Sequence, residues 1–302
     1  MEASKKENRA IRHTISDRIF LTVDFIVLLL LLVVIVYPLL YIFFASFNGQ
    51  TTKMGLSLLP KKWSLQGYVA IFEYKYIWSG YLNTLIYTVV GTAINLFVTI
   101  CCAYPLSRRD FKGRGFIMVL CMITMYFSGG LIPTYLVVKN LGLLNSIWAI
   151  VLPNAMSVYN MIVMRTYFDN QIPDELLESA QLDGCGNIGF LRSIVLPLSV
   201  PILAVVGLFY AVNHWNAYFN AMVYITDRTK YPLQVILRDI LITNTLDPTE
   251  TSTDIIAQQG MEERRNVMKY SLIIVASLPV LVLYPFIQRY FVKGMMIGAL
   301  KG

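Results

Sequence analysis

Six apolar segments, near residues 20–46, 81–106, 115–138, 144–167, 190–212 and 268–291, constrain this chain more than any other feature. Each reaches the roughly 20 residues a helix needs to cross about 30 Å of hydrocarbon. In lipid the backbone must satisfy its own hydrogen bonds, so such segments fold as helices. Pro38, Pro133, Pro153, Pro197, Pro201 and Pro285 lie inside them and mark kinks, because neighbouring helices can re-satisfy the freed carbonyls. Charged residues make up only 14% of the chain, against about a quarter in soluble domains, so too little polar surface exists for a water-soluble fold of this length. The expected fold is an all-α, polytopic membrane protein: a segment 1–19, a six-helix domain 20–291 and a tail 292–302.

Basic residues set the orientation. Lys5, Lys6, Arg9, Arg12 and Arg18 precede the first span, and Arg108, Arg109, Lys112 and Arg114 crowd a very short second loop. Short basic loops stay in the cytoplasm. With six spans both termini and residues 173–189 are then cytoplasmic, and loops 48–80 and 213–267 face outward. The net charge of +7 suits basic loops beside anionic lipid and requires no nucleic acid. The first apolar run is too long for a signal h-region and lacks a small-residue cleavage site, so it reads as a retained span.

Few residues offer chemistry. The four cysteines have neither disulfide nor metal spacing, and the two histidines, His13 and His214, are far apart. Gly184, Gly186 and Gly189 spell a dinucleotide fingerprint, but no strand precedes it and no acid follows about 20 residues on. No P-loop sequence occurs, so the chain does not bind ATP that way. Asp24 lies about a turn into the first span, and Arg165, Arg192, Lys269 and Arg289 sit at span ends, where long side chains reach water. An ion-coupled carrier would need a charge nearer the midplane. Its absence points to an external energy source.

Between the fourth and fifth spans lies a polar stretch that reads as one helix, Pro173 to Asp183. Pro173 suits the first helical position, Asp174 and Glu175 the positive end, and Gly184 the stop. Leu176, Ala180 and Asp183 fall on one face, with Leu177 beside them. A helix this short is marginal alone and needs something to pack against. That is either its own membrane domain or a soluble partner. After the fifth span, Asn213, His214, Trp215, Asn216 and Asn220 form a cluster that combines amides with an indole, and Asn213, Trp215, Asn216 and Asn220 are its candidate sugar-path residues. Sugars bind through such groups, amides to hydroxyls and an aromatic face to C–H groups, although an interfacial tryptophan would look the same.

Glu178-Ser179-Ala180, three residues, Gly184, nine residues and Ile194-x-Leu196-Pro197 resemble the EAA motif of ABC-importer permeases, with Ser179 in place of an alanine. The chain as a whole is similar to the MalG-type carbohydrate permeases, nearest their LplC/YtcP-like branch. Residues 8–20, 37–47, 103–115, 129–153 and 291–302 carry that likeness. The resemblance implies a type I (MetI-like) transmembrane domain that carries an oligosaccharide across the bacterial cytoplasmic membrane. It implies a second, homologous permease subunit, two cytoplasmic ATPase subunits that bind the ATP and Mg, and an extracytoplasmic sugar-binding protein. This chain would hold no cofactor. Residues 173–184 would be the coupling helix, and Glu178, Ser179, Ala180, Asp183, Gly184, Ile194, Leu196 and Pro197 the residues that couple to the ATPase. Part of the fifth loop, 222–260, would reach into the binding protein, and Gly294, Gly298 and Gly302 would lie in a tail touching the ATPases. The alternative is a membrane scaffold or receptor subunit whose helix recruits a cytosolic partner without transport.

Overall fold

The computed structural model describes residues 14–49, 59–60, 62–243 and 266–282, together with 284, 285 and 288. Its helices are α1 (Ile15–Ala45), α2 (Gln66–Glu73), α3 (Lys75–Ser107), α4 (Arg114–Tyr126), α5 (Leu131–Asn140), α6 (Ile147–Val151), α7 (Val158–Gln171) and α8 (Asp174–Leu182). Next, α9 (Asn187–Phe190) runs through a π-helical turn, Leu191–Val195, into α10 (Leu196–Leu198). They are followed by α11 (Val200–Trp215), α12 (Phe219–Tyr224), α13 (Leu233–Arg238) and α14 (Asn266–Val282). The expected tail contacts at Gly294, Gly298 and Gly302, and the fifth loop from 244 to 265, lie outside the described residues.

Two of these helices, α1 and α3, are each long and apolar enough to cross a bilayer, and α14 is apolar but shorter. The segments expected at 115–138, 144–167 and 190–212, with kinks at their prolines, are pairs of helices bent sharply against each other. α4 meets α5 at 110°, α6 with its 3-10 extension meets α7 at 55°, and Asn187–Leu198 meets α11 at 83°. Each bend has a local cause. Gly130 has φ +82°, in the half of conformational space that a Cβ disfavours, and Pro133 follows it. Pro153 sits in the 3-10 turn Leu152–Asn154. Pro197 and Pro201 flank Ser199, where the helix restarts with Leu203 N–H donating to Ser199 O.

The bundle is organised on α3. Its buried residues include Gly80, Thr84, Gly91, Asn95, Thr99 and Ala103, a stripe of small and short polar side chains repeating about every four residues. Apolar burial gains nothing over lipid inside a bilayer, so close backbone approach and interhelical hydrogen bonds hold such a seam. A Cβ at Gly91 would stand 2.5 Å from His214 Nε2, so only glycine admits that ring from α11. Thr99 Oγ1 lies 2.7 Å from Tyr210 OH, which accepts from Ser157 N–H at 3.0 Å, tying α3, α11 and the start of α7 together. Leu233 N–H donates to Thr84 Oγ1 at 2.8 Å and brings α13 onto α3. Residues 232–241 thereby bury Leu233, Val235, Ile236 and Ile240 against α3 and its neighbours.

α1 is different. Its apolar side chains are uncovered from Ile15 to Phe43, and only Ala45 is buried. A helix apolar on all sides belongs against lipid or another membrane helix. Its C-terminal end is anchored: Ser46 Oγ lies 2.8 Å from Tyr68 OH, and Ser271 Oγ donates to Ser46 O at 2.9 Å.

Candidate functional site

α8 starts one residue later than its sequence suggests. Pro173 has ψ 146° and is the N-cap, not the first helical residue, and Asp183 is the C-cap. The stop is where the glycine places it. Gly184 has φ +75°, its N–H donates to Gln181 O at 3.0 Å, and Cys185 N–H donates to Ala180 O at 2.8 Å. That pair of bonds is a Schellman motif, which satisfies the last carbonyls and turns the chain toward Asn187–Leu198.

The buried side of α8 is Leu177 and Ala180, which join a core of Ala103, Leu106, Met164, Phe168, Phe190 and Val195 drawn from α3, α7 and the Asn187–Leu198 helix. Of the face read from the sequence, Ala180 is buried, whereas Leu176 is 39% exposed and Asp183 is exposed. Glu178 and Ser179 face solvent, with Ser179 Oγ donating back to Glu175 O at 2.8 Å. Ile194 packs against the core, and Leu196 and Pro197 lead into the 83° bend. Two residues outside the motif are conspicuous: Leu182 is 90% exposed and Ile188 83% exposed, on either side of the Gly184 turn. Both stand beside polar neighbours, Gln181, Asp183 and Asn187.

The loop after α3 braces α8. Arg108, its side chain 11% exposed, donates to both carboxylate oxygens of Asp110 at 2.9 and 2.7 Å and to Tyr104 OH at 3.1 Å. Its guanidinium also lies 6.0 Å from the Phe190 ring centroid. The Arg108 hydrogen bonds hold the Asp110 carboxyl below its ordinary pKa. Arg109 reaches Asp174 at 3.2 Å, an exposed pair between the α3–α4 loop and the start of α8 that adds little stability. Arg165 Nε donates to Leu106 O at 2.9 Å and ties α7 to the same end of α3.

At the far end of α11 the amide cluster opens on a cavity of about 230 Å³. Its lining includes Asn154, Asn213, Asn216, Asn220, Tyr218 and Phe219. Three of the four residues expected on a sugar path are thus brought together. Trp215 is not among them: its ring is buried, stacks edge-on to Tyr81 at 5.7 Å, and its Nε1–H donates to Ala276 O at 3.0 Å. The indole fastens α11 to α14, and the aromatic faces at the cavity come from Tyr218 and Phe219. Asn213 and Trp215 belong to the last turn of α11, not to a loop.

No protein-family model matches the chain. It is 42% identical over 277 residues to the polygalacturonan/rhamnogalacturonan transport system permease protein YtcP of Bacillus subtilis (strain 168), covering 91% of this chain and 96% of that one. The chain belongs to the carbohydrate ABC importer permeases. Protein LplC of the same organism is also 42% identical, over 269 residues, 88% of this chain and 90% of the relative. Among solved structures, a bacterial ABC transporter involved in the import of the acidic polysaccharide alginate superposes with a TM-score of 0.82 at 30% identity, covering 93% of the permease and 100% of the matched chain. The permease is therefore an all-α membrane protein of the importer type. Subunits of this family have no ATPase site of their own; partner subunits hydrolyse the ATP.

Proposed function

We propose that this permease carries an acidic oligosaccharide inward by alternating access, and that α8 is the lever through which separate ATPase subunits drive it. One observation supports the lever above all. Leu182 and Ile188 are uncovered on either side of a rigid Schellman turn, while Leu177 and Ala180 bury the opposite side of α8 in the bundle. A partner that grips the outer side moves the inner side with it. Glu178, Ser179 and Asp183 are the polar contacts of that grip, Gly184 fixes the angle, and Ile194, Leu196 and Pro197 carry the motion to the bend before α11. The Arg108 brace passes it to α3.

In this reading the chain has six spans with both termini, α8 and the α3–α4 loop in the cytoplasm. The fragment around α12 and α13 faces outward and receives a sugar-loaded binding protein. The polar cavity at Asn213, Asn216 and Asn220 is part of the sugar path. At about 230 Å³ it falls below the ~300–1,000 Å³ of a complete small-molecule site, which suits a half-site finished by a second, homologous permease subunit. Two ATPase subunits, binding ATP and Mg, complete the importer. The acidic class rests on the named cargoes of the relatives, polygalacturonan/rhamnogalacturonan for YtcP and alginate for the solved importer.

The test is uptake by the reconstituted complex of both permeases, the ATPases and the binding protein in proteoliposomes. ATP-dependent accumulation of trigalacturonate, exceeding that of neutral galactotriose about tenfold or more, is the expected result. ATP hydrolysis stimulated by sugar without accumulation would instead identify a scaffold.

A further inference from the structure

His214 lies in the last turn of α11, behind the three asparagines, and is 5% exposed. Its Nε2 is 2.7 Å from Asn95 Oδ1. Asn95 Nδ2 donates to Asn154 O at 2.7 Å, so Asn95 Oδ1 is left as an acceptor and His214 Nε2 carries the hydrogen. Three elements meet in this chain: α11, α3 and the 3-10 turn after α6. The ring is held end-on. Its Cε1, Nε2 and Cδ2 atoms would all lie within 2.8 Å of a Cβ at Gly91, so this edge is pressed against α3. His214 also lines the cavity that holds Asn213, Asn216 and Asn220. The edge turned away from α3 is the one bearing Nδ1. Among the described residues Nδ1 has no hydrogen-bond partner, and it is not one of the fully enclosed polar atoms without one.

An imidazole whose Nε2–H is committed must, when neutral, present Nδ1 as an acceptor. We propose that His214 is a sugar-contacting residue on the floor of this cavity, its Nδ1 accepting a hydroxyl hydrogen from the passing saccharide while Nε2–H holds Asn95 and hence α3. The inference rests on the cavity being part of the sugar path, as proposed above. The other lining groups can all take part in the same recognition. Amides of Asn213, Asn216 and Asn220 both donate and accept, and Tyr218 and Phe219 supply faces for C–H groups. His214 adds a neutral acceptor fixed in direction, and one that joins the occupant to the seam between α3 and α11.

Two substitutions separate the two edges of the ring. His214→Gln can still donate to Asn95 from the position of Nε2 but has no group where Nδ1 was. His214→Asn replaces Nδ1 with an amide oxygen and gives up Asn95. With the complete complex in proteoliposomes and saturating loaded binding protein, trigalacturonate or galactotriose uptake is measured beside the thermal midpoint of the complex. His214→Gln is expected to assemble and melt as the wild type does and to lose about tenfold in uptake rate, the size of one hydrogen bond. His214→Asn is expected to melt several degrees lower while each assembled complex keeps most of its uptake. Uptake by His214→Gln within twofold of wild type overturns the proposal if Asn213→Ala and Asn216→Ala both slow uptake. If those two are also silent, the cavity is not on the sugar path, and the reading beneath the proposal fails with it. A wild-type complex that carries neither saccharide overturns both.

Discussion

A Gly184→Val permease is expected to insert in the membrane in normal amounts and to lose sugar uptake by tenfold or more. Gly184 sits at φ +75°, where an L-residue is strained by about 1–2 kcal/mol and a β-branched one by more. Nothing lies within 4 Å of a Cβ built there, so the penalty is conformational, not steric. Valine escapes the strain by leaving the left-handed region. That breaks the bonds from Gly184 N–H to Gln181 O and from Cys185 N–H to Ala180 O. The last turn of α8 then frays, and Leu182 loses its fixed position relative to Ile188. A shift of about 2 kcal/mol lowers the ratio of intact to frayed turns by about thirtyfold. Gly184→Ala should show a smaller loss in the same direction, because alanine tolerates the left-handed region better than valine. Comparing uptake with the amount of permease in the membrane fraction checks both. Equal uptake by glycine and valine variants would show that the turn does not set the coupling geometry.

The second large effect is expected from Leu182→Glu combined with Ile188→Glu. At 90% and 83% exposure neither side chain is needed by the permease fold, so insertion and thermal stability should be unchanged. Covering each aliphatic side chain by a partner is worth about 1.5–3 kcal/mol, and a carboxylate in its place must be desolvated as well. Association with the ATPase subunits should therefore fall by about a hundredfold or more. Pull-down of the ATPase with a tagged permease measures this. Ala180→Glu is the contrasting variant: Ala180 is 6% exposed within the core, so a charge there should disrupt folding before any question of docking arises.

These two variants mark where the sequence was and was not informative. Gly184 was legible because a helix stop needs a residue free of a Cβ, and its spacing from Glu178 and Pro197 is fixed. Leu182 and Ile188 were not. A helical wheel on Pro173–Asp183 groups Leu176 with Ala180, but which stripe turns inward depends on where α3, α7 and the Asn187–Leu198 helix press on α8. They press on Leu177 and Ala180. The spans show the same division. Apolar length marked the segments, yet the 110° break between α4 and α5 falls over residues 127–130, where Phe127 is extended and Gly130 has φ +82°, amid residues that read as one continuous run. Asn213, Asn216 and Asn220 were legible as a polar group. Trp215 was misplaced among them because its indole partner, Ala276 O, comes from a helix 61 residues away. Asn95, a polar residue within a span, and His214, a member of the polar cluster 119 residues on, were not legible as partners until Gly91 let α11 lie against α3.

The lever is tested most directly by where Leu182 lies in the assembled importer. Leu182→Cys, in a permease whose Cys101, Cys102, Cys121 and Cys185 are serine, can carry a benzophenone-maleimide. Phe72→Cys, 62% exposed on α2 and assigned to the opposite side of the membrane, serves as control. Irradiating the intact complex should join the Leu182→Cys permease to an ATPase subunit and leave the Phe72→Cys permease free of it. An intact, transporting complex in which Leu182→Cys gives no ATPase adduct, or in which Phe72→Cys gives one, would contradict the assignment of α8 as the coupling helix.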